Sequence, residues 1–227
     1  MEKIRKIGRT LMWIVIILIG ISVGLPILYR YISIPITPMM ISKTFSQVGE
    51  GKRMKLAYQW VPIDSIEPSL TKGIWATTDE QFFFHNGFLP DSISPSPTIS
   101  QQTASNIFLI NNNTKLDRCL NTYFTILIET FWSKRRILET YLNTLEMGDG
   151  IYGAEALSIE KFGCHASDLT EYQSTMIILS MKDIKVLDCA NPTQEMYDDQ
   201  LRLLQQIKEI EIADDFIIRY KETEQRP

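Results

Sequence analysis

Lys134-Arg135-Arg136-Ile137-Leu138-Glu139-Thr140-Tyr141-Leu142-Asn143 is the stretch that decides the fold. Ser133, just before it, can cap a helix, and Ile137, Leu138, Tyr141 and Leu142 then fall on one face. Downstream, Gly148-Asp149-Gly150 makes a turn, and residues 153–162 are helical again. Upstream, Leu116, Leu120, Tyr123, Phe124, Leu127 and Phe131 form a second helical stripe. Thr98 caps a shorter helix that runs through Leu109 and ends at Asn111-Asn112-Asn113. Residues 86–97, with Gly87, Pro90, Pro95 and Pro97, are a loop. Leu70, Ile74, Thr77 and Thr78 begin a helix predicted to reach about Phe84. Thr170-Glu171-Tyr172-Gln173 has the form of a capping box ahead of residues 176–181, and a last, charged helix is predicted from 194 to about 221. Only residues 54–61 read as a short strand. The chain is mainly α.

Near the N-terminus, residues 11–28 are eighteen positions without a charge. At about 1.5 Å of rise per residue, such a run approaches the ~30 Å hydrocarbon core of a bilayer. Tyr29 and Tyr31 stand at its far end, where aromatic rings favour the interface. Lys3, Arg5, Lys6 and Arg9 flank the near end against Glu2 alone. That bias predicts an N-terminus inside and the bulk of the chain outside. A cleaved signal peptide is the alternative. It lacks a clear small-x-small site after the run, and the run is long for a signal core.

The chain beyond this run is long enough for one domain with a real core and too short for two comfortable ones. Beyond Arg30 there remain 18 basic and 26 acidic residues, a formal net charge of −8. Such a balance argues against nucleic acid and against attraction to anionic lipid head groups. Cys119, Cys164 and Cys189 cannot all pair within one chain, and their spacing matches no metal motif. They read as small buried apolar residues. No metal and no cofactor is expected.

Two stretches are far from generic. One is Thr98-Ile99-Ser100-Gln101-Gln102-Thr103 with Asn106, Phe108 and Leu109 after it. The other runs from Lys134 to Leu138, then Tyr141-Leu142-Asn143, Glu146, Gly148, Gly150, Gly153, Glu155 and Phe162-Gly163. With Asp79-x-x-Phe82-x-x-His85-x-Gly87-Phe88, they resemble, in order, the motifs of the monofunctional peptidoglycan glycosyltransferases. The resemblance covers about residues 60–179. It implies a lysozyme-like helical fold with a larger lobe and a smaller, membrane-facing jaw, acting on lipid II and the glycan strand at a bacterial membrane. With the anchor, it implies a cytoplasmic stretch 1–10, a transmembrane segment 11–29, a membrane-proximal linker 30–57 and a glycosyltransferase-like domain 58–227. The location implied is the cytoplasmic (inner) membrane, single-pass, with the domain extracytoplasmic.

The family's chemistry needs a general base at the attacking sugar hydroxyl and positive or donor groups around a leaving pyrophosphate. Its motifs place two glutamates there. Alignment on Asp79, Phe82 and His85 puts Thr78 at the first, and alignment back from Ile128-Glu129 puts Asn121 at the second. The same alignment reads Asp117 for an arginine, Arg118 for a lysine, Ser105 for a lysine and Pro97 for a serine. Positions 117, 118 and 121 share a helix face, so Asp117 is expected to set an anion against the leaving group. The stretch between His85 and Thr98 is shorter than in most members. Asp79, Thr98, Gln102, Arg118 and Lys134 keep the family's substrate-binding pattern. Glu80 would face away from Thr78, and Glu129 lies eight residues beyond Asn121, ~12 Å along the helix.

Other conspicuous residues read as structural. His85 is expected to fix the loop after its helix, the phenylalanines at 82, 83, 84 and 88 to pack core and jaw, and Arg135 and Arg136 to be solvated. Two function classes stand open. One is a degenerate relative, a pseudoenzyme that keeps the scaffold to bind precursor, glycan or a cell-wall synthesis partner. The other is an active lipid II polymerase with a rearranged site. Loss of a general base costs ~10²–10⁴ in rate, which favours the first.

Overall fold

Helix α1 (Glu2–Tyr29) carries the apolar run and projects from the rest of the chain. Residues 5–29 of it are long enough to cross a bilayer, and only 6% of their most apolar eighteen-residue stretch is buried. The computed structural model describes residues 2–90, 96–110, 114–182, 198 and 200–205. Behind α1 come α2 (Pro38–Gly49), β1 (Ala57–Tyr58), α3 (Pro68–Thr78), α4 (Ile99–Phe108), α5 (Lys115–Phe131), α6 (Lys134–Thr144), β2 (Glu146–Gly148), β3 (Ile151–Tyr152), α7 (Ala154–Phe162) and α8 (Glu171–Lys182). The fold is mainly α, as expected. A small sheet of order β1-β3-β2 pairs β1 parallel and β2 antiparallel to β3.

Local signals set most of the helix starts. Thr98 and Thr114 each form a reciprocal capping box, with Gln101 and with Asp117. The Ser133 hydroxyl accepts from the Arg136 amide, and that of Thr170 from Gln173. Helix α4 then packs on α5 and α6, and α3 on α8. Ile74, Phe82, Ile99, Ile128, Ile137 and Leu142 are fully buried between them. The turn at Gly148-Asp149-Gly150 joins β2 to β3. Gly150 has φ 69°, and a Cβ there would lie 2.3 Å from the Lys55 carbonyl oxygen.

Several expectations are corrected. The helix begun at Leu70 stops at Thr78, because the Asp79 carboxylate turns inward and the chain leaves helical geometry there. The strand at 54–61 shrinks to Ala57–Tyr58. Helix α2 was not expected. Its buried face is Met40, Thr44 and Gln47, two of them polar, so it leaves almost no apolar periodicity to read. Arg136 is enclosed, not solvated. It donates to the Tyr29 carbonyl from Nη2 (2.8 Å) and Nε (3.1 Å), to the Ile32 carbonyl and to Glu139, between the rings of Trp60 and Trp132. Arg135 pairs with Asp64. Cys119 is exposed and Cys164 half-buried, both free, so Cys119 is no core residue; Cys189 lies outside the described residues. So does most of the helix expected at 194–221, of which residues 198 and 200–205 are helical.

Candidate active site

Asp79 is the hub. It is 5% exposed, and its carboxylate accepts from His85 Nε2 at 3.0 and 3.1 Å and from the Ile99 amide at 3.0 Å. The Gly87 amide donates to His85 Nδ1 at 2.9 Å, which leaves the ring proton on Nε2, facing Asp79. His85 therefore fixes the loop after it. Thr98 donates its hydroxyl to the Gly87 carbonyl at 2.7 Å while capping α4, so the loop and the helix start are tied together.

Gly87 has φ 87°, and a Cβ there would lie 2.8 Å from Thr125 Cγ2 and 2.9 Å from Glu129 Cγ. That close approach brings the loop onto α5. Asn121, Thr125 and Glu129 succeed one another at i, i+4 and i+8 on this face of α5. Thr125 donates to the Asn121 carbonyl (2.8 Å) and its side-chain Oδ1 (3.0 Å). Glu129 accepts from Ser100 and from Lys134 Nζ at 2.7 Å. Lys134 also lies 4.6 Å from the centre of the Phe82 ring. Burial pulls the Lys134 pKa below the ordinary lysine range, while Glu129 and then Asp79 oppose that fall.

Tyr141 links the second side. Its hydroxyl donates to Gln102 Oε1 at 3.2 Å, and the Thr78 side chain lies beside it. Gln102 donates its amide to the Pro97 carbonyl at 2.8 Å. Burial, opposed by the neighbouring Thr78 side chain and reinforced by the Asp79 charge, pushes the Tyr141 phenol up to about 12.

Of the residues singled out from sequence, Thr78, Asp79, Thr98, Gln102, Asn121 and Lys134 thus converge through shared partners. Arg118 is different. It is exposed near the start of α5, with no side-chain partner among the described residues. Asp117, expected to oppose a leaving group, instead turns its carboxylate back to the Thr114 amide (3.0 Å) and hydroxyl (2.7 Å). Ser105 is 2% exposed and packed inside α4, so it faces no ligand. Phe82 and Phe83 pack in the core, whereas Phe84 stands exposed. Tyr141 and Thr125 are members of the constellation that the sequence did not single out, and Glu129, weighed above only for its distance from Asn121, belongs to it too. For Tyr141 the signal was a hydroxyl inside an apolar stripe, which needs a partner when buried.

Comparisons with known proteins agree with this architecture. The family model described as Transglycosylase matches residues 94–208. A protein of Bdellovibrio bacteriovorus named biosynthetic peptidoglycan transglycosylase is 35% identical, covering 82% of this chain and 80% of its own. One of that name from Bacteroides thetaiotaomicron is 34% identical, covering 88% and 86%. Another, from Pseudomonas fluorescens, is 30% identical, covering 98% and 96%.

Proposed function

Because the chain belongs to the peptidoglycan transglycosylase family, we propose that it is a membrane-anchored member whose site binds and does not polymerise. Its ligand is a lipid-linked precursor such as lipid II, a glycan strand or a protein of cell-wall synthesis. The observation that carries this reading is the chemistry at Thr78 and Asn121. Both stand where the motifs put carboxylates, and both are neutral: Thr78 lies beside the Tyr141 hydroxyl, and Asn121 accepts from Thr125. The acids that remain are engaged: Asp79 holds His85 and the Ile99 amide, and Glu129 holds Lys134 and Ser100. A general base must reach a substrate hydroxyl with a lone pair to spare. Asp79, Thr98, Gln102 and Lys134 then serve as the binding frame, with Arg118 at its rim for a phosphate.

A second reading, a polymerase with a rearranged site, draws on Glu129. It shares a helix face with Asn121, and the nearer carboxylate, Asp117, is turned back onto Thr114. Lipid II polymerisation by the purified full-length protein, beside an active relative, separates the two. Absence of glycan strands, with retained binding, supports the first; robust strand formation overturns it.

We place the domain outside the cytoplasmic membrane, with residues 1–10 inside, on the Lys/Arg bias before α1. A phosphatase fused after Pro227 tests this, since it is active only outside. Activity of a cytoplasmic reporter alone would reverse the orientation.

A further inference from the structure

Three phenylalanines stand in a row at 82–84, and their surroundings differ. Past α3 the chain turns, with the Phe82 amide donating to the Asp79 carbonyl at 3.0 Å and the Phe84 amide to the Gln81 carbonyl at 2.8 Å. Phe82 is fully buried, and Phe83 meets Phe82 and Trp75 edge to face at 5.0 and 4.9 Å. Phe84 is 68% exposed, and Phe88, four positions on, is 37% exposed. Core packing accounts for the first two rings and not for Phe84.

Phe84 and Phe88 bracket the clasp of the candidate site. Between them, His85 holds Asp79 through Nε2 and accepts the Gly87 amide at Nδ1. Gly87 lies against Thr125 of α5, and Thr125 donates to Asn121, one turn nearer the start of that helix. The loop that carries the two rings is thus fastened beside Asn121.

What this corner offers a ligand is polar and mostly uncharged. Asn121 accepts from Thr125 at Oδ1 and has two Nδ2 protons with no acceptor among the described residues. Gln102 gives one amide proton to the Pro97 carbonyl and accepts the Tyr141 hydroxyl at Oε1, which leaves a second proton. Thr78 adds a hydroxyl beside that of Tyr141. The inner charges are already matched, Lys134 to Glu129 and Asp79 to His85. Arg118 is a lone cation at the rim, where a pyrophosphate calls for several donors. Neutral amides and hydroxyls beside an exposed ring suit a sugar. Its hydroxyl and acetamido groups hydrogen-bond, and its C–H face settles on the negative face of the aromatic ring.

We propose that Phe84, with Phe88, is the stacking platform of a sugar-binding surface whose ligand is a strand of N-acetylated amino sugars without a lipid pyrophosphate. The inference rests on the reading of the site as one that binds and does not polymerise, and it selects among the ligands of that reading. A lipid pyrophosphate finds too few cations here, and an acyl chain would leave the Asn121 and Gln102 amides without acceptors.

Chitohexaose, an uncharged hexamer of N-acetylglucosamine, is the probe. It is titrated by calorimetry into full-length protein in detergent micelles, as wild type and as Phe84→Ala, Phe84→Leu and Phe84→Trp, with circular dichroism confirming the fold of each. Wild type and Phe84→Trp should bind alike, Phe84→Ala and Phe84→Leu about three- to tenfold more weakly, and inorganic pyrophosphate should not compete. Equal affinity of wild type and Phe84→Ala overturns the platform and leaves the site a binder. Phe84→Leu matching wild type also overturns it, since any apolar contact would then do. Failure of wild type to bind chitohexaose overturns the choice of ligand; binding of lipid II in vesicles by the same protein would show that the underlying reading survives. Glycan-strand formation from lipid II by that preparation overturns the reading itself, and the proposal with it.

Discussion

The Lys134 ammonium donates to the Glu129 carboxylate at 2.7 Å with 14% and 9% of the two side chains exposed, so one nearly buried pair closes the gap between α5 and α6. Removing one member strands the other charge. Lys134→Met should cost about 3 kcal/mol, within the range for a broken buried pair. The double change Lys134→Met with Glu129→Leu should cost less than the sum of the single changes. Urea unfolding in detergent micelles, followed by circular dichroism, measures both; strict additivity would show that the pair is not coupled.

Alkali should find the site through Tyr141. Its folded-state pKa is about 12, above the usual value of about 10. A raised folded pKa contributes stability that is complete below the unfolded value and is lost as pH rises through the folded one. Stability should therefore fall between pH ~10 and ~12. Tyr58 and Tyr152, also raised by burial, add to that fall. Tyr141→Phe should be less stable at neutral pH yet show a shallower decline above pH ~10. Parallel slopes for the two proteins would show that Tyr141 does not set the decline.

Arg136 is the joint between anchor and domain. Arg136→Ala should lower stability by about 2–4 kcal/mol, because it abandons two α1-side carbonyls and leaves Glu139 with one partner fewer. Arg136→Lys should recover only part, since an ammonium cannot reproduce the planar fork. Trypsin cleavage after Arg30 in reconstituted protein reports the joint directly. Equal cleavage rates for wild type and Arg136→Ala would count against it.

Restoring carboxylates should not restore a polymerase. Thr78→Glu would put a second carboxylate next to buried Asp79 and crowd the Tyr141 hydroxyl, and two close anions disfavour ionisation of either. With Asn121→Glu added, we expect glycan-strand formation from lipid II to stay at the wild-type level. Extending the repair costs stability: Asp117→Arg removes the side-chain half of the α5 capping box, worth up to about 1 kcal/mol, and Ser105→Lys buries an ammonium. Robust polymerisation by the Thr78→Glu, Asn121→Glu protein would show a complete enzyme lacking only two acids.

These residues also show where sequence stops being legible. Thr98, Ser133 and Thr170 announce their helices because a cap is a contact between residues three apart. The end of α3 cannot be read that way, since the partner that turns Asp79 inward is the Ile99 amide, twenty positions on. Thr114 and Asp117 carry the same three-apart signal, so Asp117 is legible as part of a cap as well as a change of charge. Tyr141 looks like one more apolar position on α6, and only the fold brings Gln102 and Thr78 to its hydroxyl. Arg136 reads as solvated for the same reason: what encloses it is Trp60 and the end of α1, both remote in sequence.

The bonds that join α1 to the domain, Tyr123 to Ser22, the Trp132 indole to the Pro26 carbonyl and the Arg136 guanidinium to the Tyr29 carbonyl, bear on how this protein meets anything. A domain on a slack leash sweeps a hemisphere and can fish for strands well above its membrane. One bolted to its stalk keeps a constant height and a constant tilt, and searches by sliding in two dimensions. Whatever occupies the Asp79–Tyr141 side must then travel in, or be delivered to, the same thin layer, and no lengthening of reach is available to find it elsewhere.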